Sequence, residues 1–245
     1  MDTQQTISHE QLAANIAHVR SNIAEAAQQA GRTPDEITLV AVSKTMPIEL
    51  VRMAYNLEAL GSHGVTNFGE NRVQEALPKI AAFHPSDVRW HMIGHLQSNK
   101  VAKVVGSFDM IQSVDSLHLA QVLNRHAEEH RKRLPVLLQV NISGEASKEG
   151  ISPAEASEVA RQIAKLPFIE VQGLMTIAPL VQDPEEARPV FRGLRELRDR
   201  LRDEVPECSW QHLSMGMTDD YRVAIAEGAT IVRIGRAIFG ERPIL

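Results

Sequence analysis

The sequence predicts an α/β fold, a single (β/α)8 barrel spanning residues 1–245. Strand-like and helix-like segments alternate along the whole chain, and eight such strands favour a closed barrel over an open sheet. Several strand segments are continuous apolar runs, such as LVAV (39–42) and VLLQV (136–140), which is typical of parallel strands covered on both faces. The length of 245 residues is close to the roughly 250 residues of this architecture.

One extra helix is predicted in front of the barrel. Ser8 and Gln11 have the spacing of a capping box, apolar residues then recur at helical spacing, and Gly31 ends the segment. Eight strands are predicted to follow it: residues 38–43, 65–68, 88–92, 109–113, 135–141, 169–175, 210–214 and 230–234.

Helices are predicted between most of these strands. The first begins at Pro47 and ends at Gly61, and Ser152 and Asp183 each start a cap-and-proline pattern. The helix after Asp183 is amphipathic, with its apolar side directed inward: Val190, Leu194, Leu197 and Leu201. An open doubly wound sheet is the alternative, but it usually carries a glycine-rich turn after its first strand. Residues 43–47 (SKTMP) contain no glycine.

Composition excludes several classes of protein. The net charge of −5 argues against a nucleic-acid partner. No signal-peptide pattern and no apolar stretch long enough for a membrane span is present. The single cysteine, Cys208, is expected to be structural and fits a reducing compartment, so a cytoplasmic location is expected.

Polar residues follow the first three strands, at the barrel end where binding groups collect. Partial desolvation of Lys44 there would favour the neutral amine that forms a Schiff base, although a surface lysine is the alternative. Asn71 can hydrogen-bond in the same mouth. His91 and His95 lie four residues apart, but Gly94 argues against one helix and no third ligand has metal spacing, so no metal site is expected.

The last two strands end in small residues and backbone N–H groups, HLSMGMTDD (212–220) and VRIGR (232–236). Barrels commonly hold a phosphate at this corner. Ser214 and Thr218 can add hydroxyl donors, and Arg236 can add positive charge.

The closure of the barrel places Lys44 beside this phosphate corner. That combination fits pyridoxal 5′-phosphate (PLP), with its aldehyde on the lysine and its phosphate in the corner. Arg233, inside the last strand, would then reach the pyridine nitrogen.

Seven stretches carry a resemblance to the YggS/PROSC family of PLP-binding homeostasis proteins. They occur in the family's order and cover nearly the whole chain: LVAVSKTMP (39–47), FGENRVQE (68–75), WHMIGHLQSNK (90–100), VNISGEASKEG (140–150), GLMTI (173–177), LSMGMTDD (213–220) and VRIGRAIFG (232–240). The resemblance implies the alanine racemase N-terminal barrel fold, with PLP bound covalently to Lys44.

The resemblance also implies which residues surround the cofactor. Arg233 would lie near the pyridine nitrogen and Asn71 near the ring. The phosphate would be surrounded by a further set: Ser214, Met215, Gly216, Met217, Gly235 and Arg236. The family usually has Ser or Thr at the position of Arg236, so a hydroxyl donor is lost here while the backbone N–H remains.

Two features bear on the choice between a carrier and an enzyme. The guanidinium of Arg233 cannot accept a proton from the pyridine nitrogen, so the ring stabilises a carbanion less well, which suits a racemase-like site or a site that only holds the cofactor. In alanine racemase a tyrosine from a second domain acts on the opposite face of the ring; this chain ends soon after its last barrel motif, and neither Tyr55 nor Tyr221 lies in a cofactor motif.

We therefore expect a non-catalytic, monomeric PLP homeostasis protein, with apo PLP-dependent enzymes as candidate recipients. A PLP-dependent amino-acid racemase is the alternative, and a lysine Schiff-base aldolase is a further one. The roles of His91, His95 and Lys100 stay open.

Overall fold

The computed structural model describes residues 7–57, 64–145 and 148–240. Within them, eight parallel strands form a closed barrel whose strand order follows the chain. The fold predicted from the sequence is therefore confirmed. The strands are β1 (Thr38–Val42), β2 (Asn67–Glu70), β3 (Arg89–Met92), β4 (Met110–Val114), β5 (Leu134–Gln139), β6 (Ile169–Met175), β7 (His212–Ser214) and β8 (Ile231–Ile234).

Helices precede and follow these strands. They are α1 (His9–Gln29), α2 (Ile48–Tyr55), α3 (Val73–Ala82), α4 (Val101–Val104), α5 (Leu117–Glu129), α6 (Ala156–Ile163), α7 (Arg188–Glu204), α8 (Tyr221–Ala226) and α9 (Arg236–Phe239). Across the described ranges, no helix has both the length and the apolarity needed to cross a bilayer.

The extra N-terminal helix α1 is present and begins as predicted. The Ser8 hydroxyl accepts a hydrogen bond from the N–H of Gln11 at 3.1 Å. The Gln11 side chain bonds Asn15 instead of the cap, so only half of the capping box forms. Gly31 follows the helix with a φ of 69°, which glycine adopts without steric cost. Asn15 then donates to the carbonyl of Ile238 at 2.9 Å, which ties α1 to the end of the barrel.

Two predicted boundaries need comment. The second strand was predicted at residues 65–68, but β2 spans Asn67–Glu70, so Glu70 belongs to the strand. Its side chain is fully buried because it has charged and polar partners, a tertiary effect that local pattern does not reveal. The helix α2 ends at Tyr55, and its predicted end, Gly61, lies outside the described residues.

The barrel has two separate apolar cores. The larger one lies between the strands and the surrounding helices. The smaller one consists of one buried residue from each of five strands and fills part of the barrel interior: Val40, Met110, Leu137, Met175 and Ile231. The rest of the interior is polar, with Gln112, His91, Ser214 and Arg233 all buried.

A buried ion pair anchors the end of β1 to β2. Lys79 of α3 donates to Glu70 Oε1 and to the carbonyl of Ser43, both at 2.8 Å. The Ser43 hydroxyl donates to the same carboxylate oxygen at 2.7 Å. Side-chain exposure is 0% for Glu70 and 12% for Lys79, so removing either partner leaves an uncompensated charge in a poorly solvated place. The backbone immediately before Lys44 is thereby held from two sides.

We expect Lys79→Met to lower the free energy of unfolding by about 3–5 kcal/mol, because Glu70 would remain buried without its cation. Urea denaturation monitored by circular dichroism measures this. The exposed Lys103→Met is the matched control, and the double variant with Glu70→Leu should recover most of the loss. A cost below about 1 kcal/mol for the single variant would contradict this account.

Candidate functional site

Lys44 lies just beyond the carboxyl end of β1, in a tightly constrained turn. Ser43 before it is fully buried, and its N–H donates to the carbonyl of Gly69 at 3.0 Å. Thr45 after it has a φ of 66°, a left-handed conformation that is strained for a β-branched residue. Lys44 itself is partly buried. Strain of this kind next to a candidate nucleophile is a local signal that the sequence does not carry.

Pairing between β1 and β8 sets which groups lie beside Lys44. Val40 is in register with Arg233, and Ala41 with Ile234. The next residue of β8, Gly235, packs on β1 so closely that a Cβ there would lie 3.3 Å from the carbonyl oxygen of Val42. The loop after β8 therefore approaches the strand that carries Lys44, as predicted from barrel closure.

Arg233 is buried inside the barrel, with 4% of its surface exposed. Its Nη1 donates to Ser214 Oγ at 2.6 Å and its Nη2 to the carbonyl of Thr176 at 2.8 Å. Burial lowers the pKa of Arg233 to about 10, against the opposing effect of the Asp220 charge, so the guanidinium remains protonated at pH 7. Further N–H groups of the guanidinium remain as donors.

A chain of hydrogen bonds runs from Arg233 across the barrel interior. Because arginine only donates, the Ser214 hydroxyl accepts from it and donates to Gln112 Oε1 at 2.7 Å. Gln112 Nε2 lies 3.0 Å from His91 Nδ1, and His91 Nε2 lies 3.0 Å from Asn67 Oδ1. The amide of Gln112 donates to Nδ1, so the neutral imidazole carries its proton on Nε2 and donates it to Asn67.

Burial lowers the pKa of His91 to about 4, so this histidine is neutral at pH 7. His91 therefore joins Gln112 to Asn67 as a neutral member of this hydrogen-bond chain. Gln112 and Thr176 were missed by sequence reasoning. Gln112 lies in none of the recognised motifs, and only the inward direction of alternate strand residues could have indicated it. Thr176 lies in the GLMTI motif (173–177) just beyond β6, but the motif alone gave it no role.

The predicted phosphate corner contains two glycines at which a larger residue would force neighbouring atoms to shift. Gly216 has a φ of 92°, and a Cβ there would lie 2.6 Å from the Cβ of Ala224 and 2.9 Å from the Cα of Tyr221. A Cβ on Gly235 would lie 3.3 Å from the carbonyl oxygen of Val42. Within the described part of the chain, the N–H groups of Gly216 and Gly235 donate to no acceptor.

Other predicted phosphate ligands already have partners. The N–H of Met215 donates to the carbonyl of Ile231 at 3.1 Å, and that of Met217 donates to Asp220 Oδ1 at 2.6 Å. The proton of Ser214 is directed to Gln112, so in this arrangement its hydroxyl does not supply a donor to a phosphate. The side chain of Arg236 forms an ion pair with Asp219, which links the loops after β8 and β7. The roles of these residues toward a phosphate stay predictions.

Asn71 lies just beyond β2, beside the loop after β3. A Cβ on Gly94 would lie 2.4 Å from the Asn71 carbonyl oxygen and 2.7 Å from its Cα, so glycine permits this close approach. Asn71 Oδ1 is buried and accepts no hydrogen bond from any described residue. It is one of seven such buried side-chain atoms among the described residues, and its place at the mouth leaves it available to a ligand or an ordered water.

Two further residues bear on the sequence predictions. Burial raises the pKa of the Cys208 thiol to about 11, which favours the unreactive thiol and is consistent with a structural role. The Tyr55 hydroxyl donates to Asp87 at 2.9 Å, just before the amino end of β3 and so away from the carboxyl ends of the strands.

Comparison with known proteins agrees with this geometry. The model of the family described as "Alanine racemase, N-terminal domain" matches residues 14–243. A "Pyridoxal phosphate homeostasis protein" of Aquifex aeolicus is 44% identical over 227 residues, which cover 93% of this chain and 96% of that protein.

Solved structures agree as well. The structure of PipY from Synechococcus elongatus with PLP bound has a TM-score of 0.80 at 38% identity, and the match covers 94% of this chain and 100% of that chain. An alanine racemase from Clostridium difficile has a TM-score of 0.71 at 16% identity and is covered over 60% of its length. This last likeness concerns the fold alone.

These findings define the chain as a barrel of the alanine racemase N-terminal class, with its candidate site at the carboxyl ends of the strands. Since its relatives match over nearly the whole of both chains at more than 40% identity, the chain belongs to the family of pyridoxal phosphate homeostasis proteins. The resemblance identified from seven motifs is confirmed.

We expect the buried His91 to make stability depend on pH. Its pKa is lowered to about 4 in the folded protein from 6.5, so between these values the unfolded chain binds more protons. The free energy of unfolding should therefore fall by about 3 kcal/mol more in the wild type than in His91→Gln between pH 7 and pH 4. Urea denaturation across this range measures the difference. His84→Gln, which changes an exposed histidine, is the control, and its free energy of unfolding should change with pH as that of the wild type does. Equal pH dependence in His91→Gln and the wild type would refute the claim that His91 is buried and neutral.

Proposed function

We propose that this chain binds PLP as a Schiff base on Lys44 and holds it for intracellular PLP homeostasis, without catalytic turnover. The observation that carries the proposal is the juxtaposition made by the β1–β8 pairing. It sets Lys44 beside the loop of Gly235, with buried Arg233 on the adjacent strand. Relatives named as PLP homeostasis proteins, and PipY with PLP bound, support the same ligand.

The residues at the mouth fit such a cofactor. Bound there, PLP would supply an aldehyde that condenses reversibly with an amine and a ring that withdraws electrons. The uncommitted N–H groups of Gly216 and Gly235 would hold the phosphate, with the backbone of Arg236. The orphaned oxygen of Asn71 would meet the ring, and the remaining N–H groups of Arg233 would face the pyridine nitrogen.

Two features bear on turnover. A guanidinium that is protonated at pH 7 would donate to the pyridine nitrogen and would take no proton from it. The nitrogen would then stay unprotonated and the ring would accept a developing negative charge less readily, which suits a racemase-like site as well as a carrier. Racemisation also needs an acid/base on the far face of the ring, and the hydroxyl of Tyr55 is engaged with Asp87 outside the barrel. The likeness to alanine racemases, at 16% identity, concerns only the fold.

The biological setting follows from the same proposal. A carrier must release what it holds, and a Schiff base exchanges with amines of other proteins and amino acids. Apo PLP-dependent enzymes are therefore the proposed recipients. We propose that the protein acts as a monomer in the cytoplasm.

We expect borohydride reduction of the PLP-loaded protein to leave a pyridoxyl group on Lys44, located by peptide mass spectrometry. In Lys44→Ala the adduct should be absent, because the remaining lysines lack the flanking loop of Gly235. Lys103→Ala, which changes an exposed lysine on α4, is the matched control and should label as the wild type does. An adduct confined to Lys100 or Lys103 would overturn the assignment.

We expect no loss of the α-proton when the PLP-loaded protein is incubated with a panel of amino acids in deuterated water. The physical reason is that racemisation needs an acid/base on the far face of the ring, and the hydroxyl of Tyr55 is engaged with Asp87 outside the barrel. Proton NMR of the amino acids measures the exchange, with free PLP at the same concentration as the reference. Exchange above that reference which disappears in Lys44→Ala would establish the racemase alternative instead.

A further inference from the structure

Three side chains with metal-ligating atoms meet at the barrel mouth, outside the proposed cofactor set. His95 follows β3, Asp115 follows β4, and Glu149 lies in the loop after β5. His95 Nδ1 is 3.3 Å from Asp115 Oδ2 and 3.2 Å from Glu149 Oε2. All three ligand atoms lie within 4.8 Å of one another. One imidazole nitrogen and two carboxylate oxygens are therefore brought together from three strand ends.

These distances are poor for ion pairing. One nitrogen carries at most one proton, yet two carboxylate oxygens approach it. Charge-assisted N–H···O bonds usually measure about 2.7–2.9 Å, and the isolated pair His126–Glu129 in this chain does so at 2.7 Å. Both distances to His95 Nδ1 are longer. In contrast, a tetrahedral zinc ion with bonds of about 2.1 Å separates neighbouring ligand atoms by about 3.4 Å.

Hydrogen bonds hold the backbone next to His95 and the side chain of Asp115. The carbonyl of Gly94, directly before His95, accepts a hydrogen bond from the buried Ser113 hydroxyl at 2.7 Å. Asp115 Oδ1 accepts from the Ser116 hydroxyl at 3.1 Å, which leaves Oδ2 directed to the cluster. Hydrogen bonds of this kind orient metal-ligating carboxylates.

The third ligand is fixed through its backbone. The carbonyl of Glu149 accepts from Gln139 Nε2 of β5 at 3.1 Å. The next residue, Gly150, has a φ of 129°, and a Cβ there would lie 2.7 Å from the N of Asn141. The backbone of Glu149 is thus anchored to the end of β5. All three side chains keep an exposed fraction, 46%, 17% and 50% for His95, Asp115 and Glu149, so an ion can enter from solvent.

We propose that His95, Asp115 and Glu149 bind a divalent transition-metal ion of the Zn²⁺ class. One imidazole and two carboxylates would occupy three positions, and water the fourth, which is an open arrangement. Metal binding requires that Nδ1 of His95 carries no proton. No metal site was expected from the spacing of ligands along the chain. These three side chains come from three separate loops, so their spacing along the chain does not show that they meet.

The test titrates Zn²⁺ into the PLP-loaded protein against a chromogenic chelator. The borohydride-reduced protein is titrated in parallel, to separate the protein site from chelation by the cofactor. One ion per chain is expected, with affinity lowered more than roughly tenfold in each of three variants: His95→Gln, Asp115→Asn and Glu149→Gln. His126→Gln, which removes a histidine paired with a single carboxylate, is the matched control and should bind as the wild type does.

Three outcomes would overturn the proposal: no stoichiometric binding, equal binding in all three variants, or an equal loss in His126→Gln. Substitution by Co²⁺ gives a second readout, a visible absorption band of a tetrahedral site that must vanish in His95→Gln. Circular dichroism establishes that each variant is folded. Labelling of Lys44 is measured separately, so failure of the metal site is distinguishable from failure of PLP binding.

Discussion

The pairing of β1 with β8 is the constraint on which the site depends. Residues that are almost two hundred positions apart along the chain become neighbours because the sheet closes on itself. The register aligns Val40 with Arg233, so Lys44 emerges beside the loop of Gly235. A shift of one residue would exchange the inward and outward side chains of the strand and remove Arg233 from the interior. The candidate cofactor site is therefore a consequence of barrel closure rather than of any one motif.

Arg233 also sets the polarity of the barrel interior. Because its guanidinium only donates, each following group has its donor and acceptor assigned in turn, from Ser214 through Gln112 to His91. Burial keeps His91 neutral, which lets it accept at Nδ1 and donate at Nε2. A buried polar network of this kind is stable only when every member is satisfied. The interior thus holds the Arg233 guanidinium in a fixed orientation.

Glycines at close backbone contacts and a buried ion pair shape the mouth of the barrel. Gly94 and Gly216 let neighbouring residues come nearer than a Cβ would permit, and Gly235 packs tightly against Val42. The Glu70–Lys79 pair holds Ser43 in place before Lys44. In the described part of the chain, the amide oxygen of Asn71 and the backbone N–H groups of Gly216 and Gly235 have no hydrogen-bond partner, which is why the proposal assigns them to the cofactor. These groups suit the binding of a cofactor, which is the main requirement of the proposed carrier role.

Local sequence was sufficient for much of the architecture. The alternation of strands and helices, the Ser8 cap, Gly31 and the order of eight strands are encoded by nearby residues, because hydrogen bonding and periodicity act over a few positions. Motifs also indicated Lys44, Arg233 and the glycines of the phosphate corner. The limits of β2 and the burial of Glu70 could not be predicted, since a buried carboxylate depends on a lysine from a later helix. Likewise the partner of Ser214, and the meeting of His95 with Asp115 and Glu149, arise only where separate loops converge. Distances between such groups are set by barrel register and side-chain packing, which no local pattern in the chain contains.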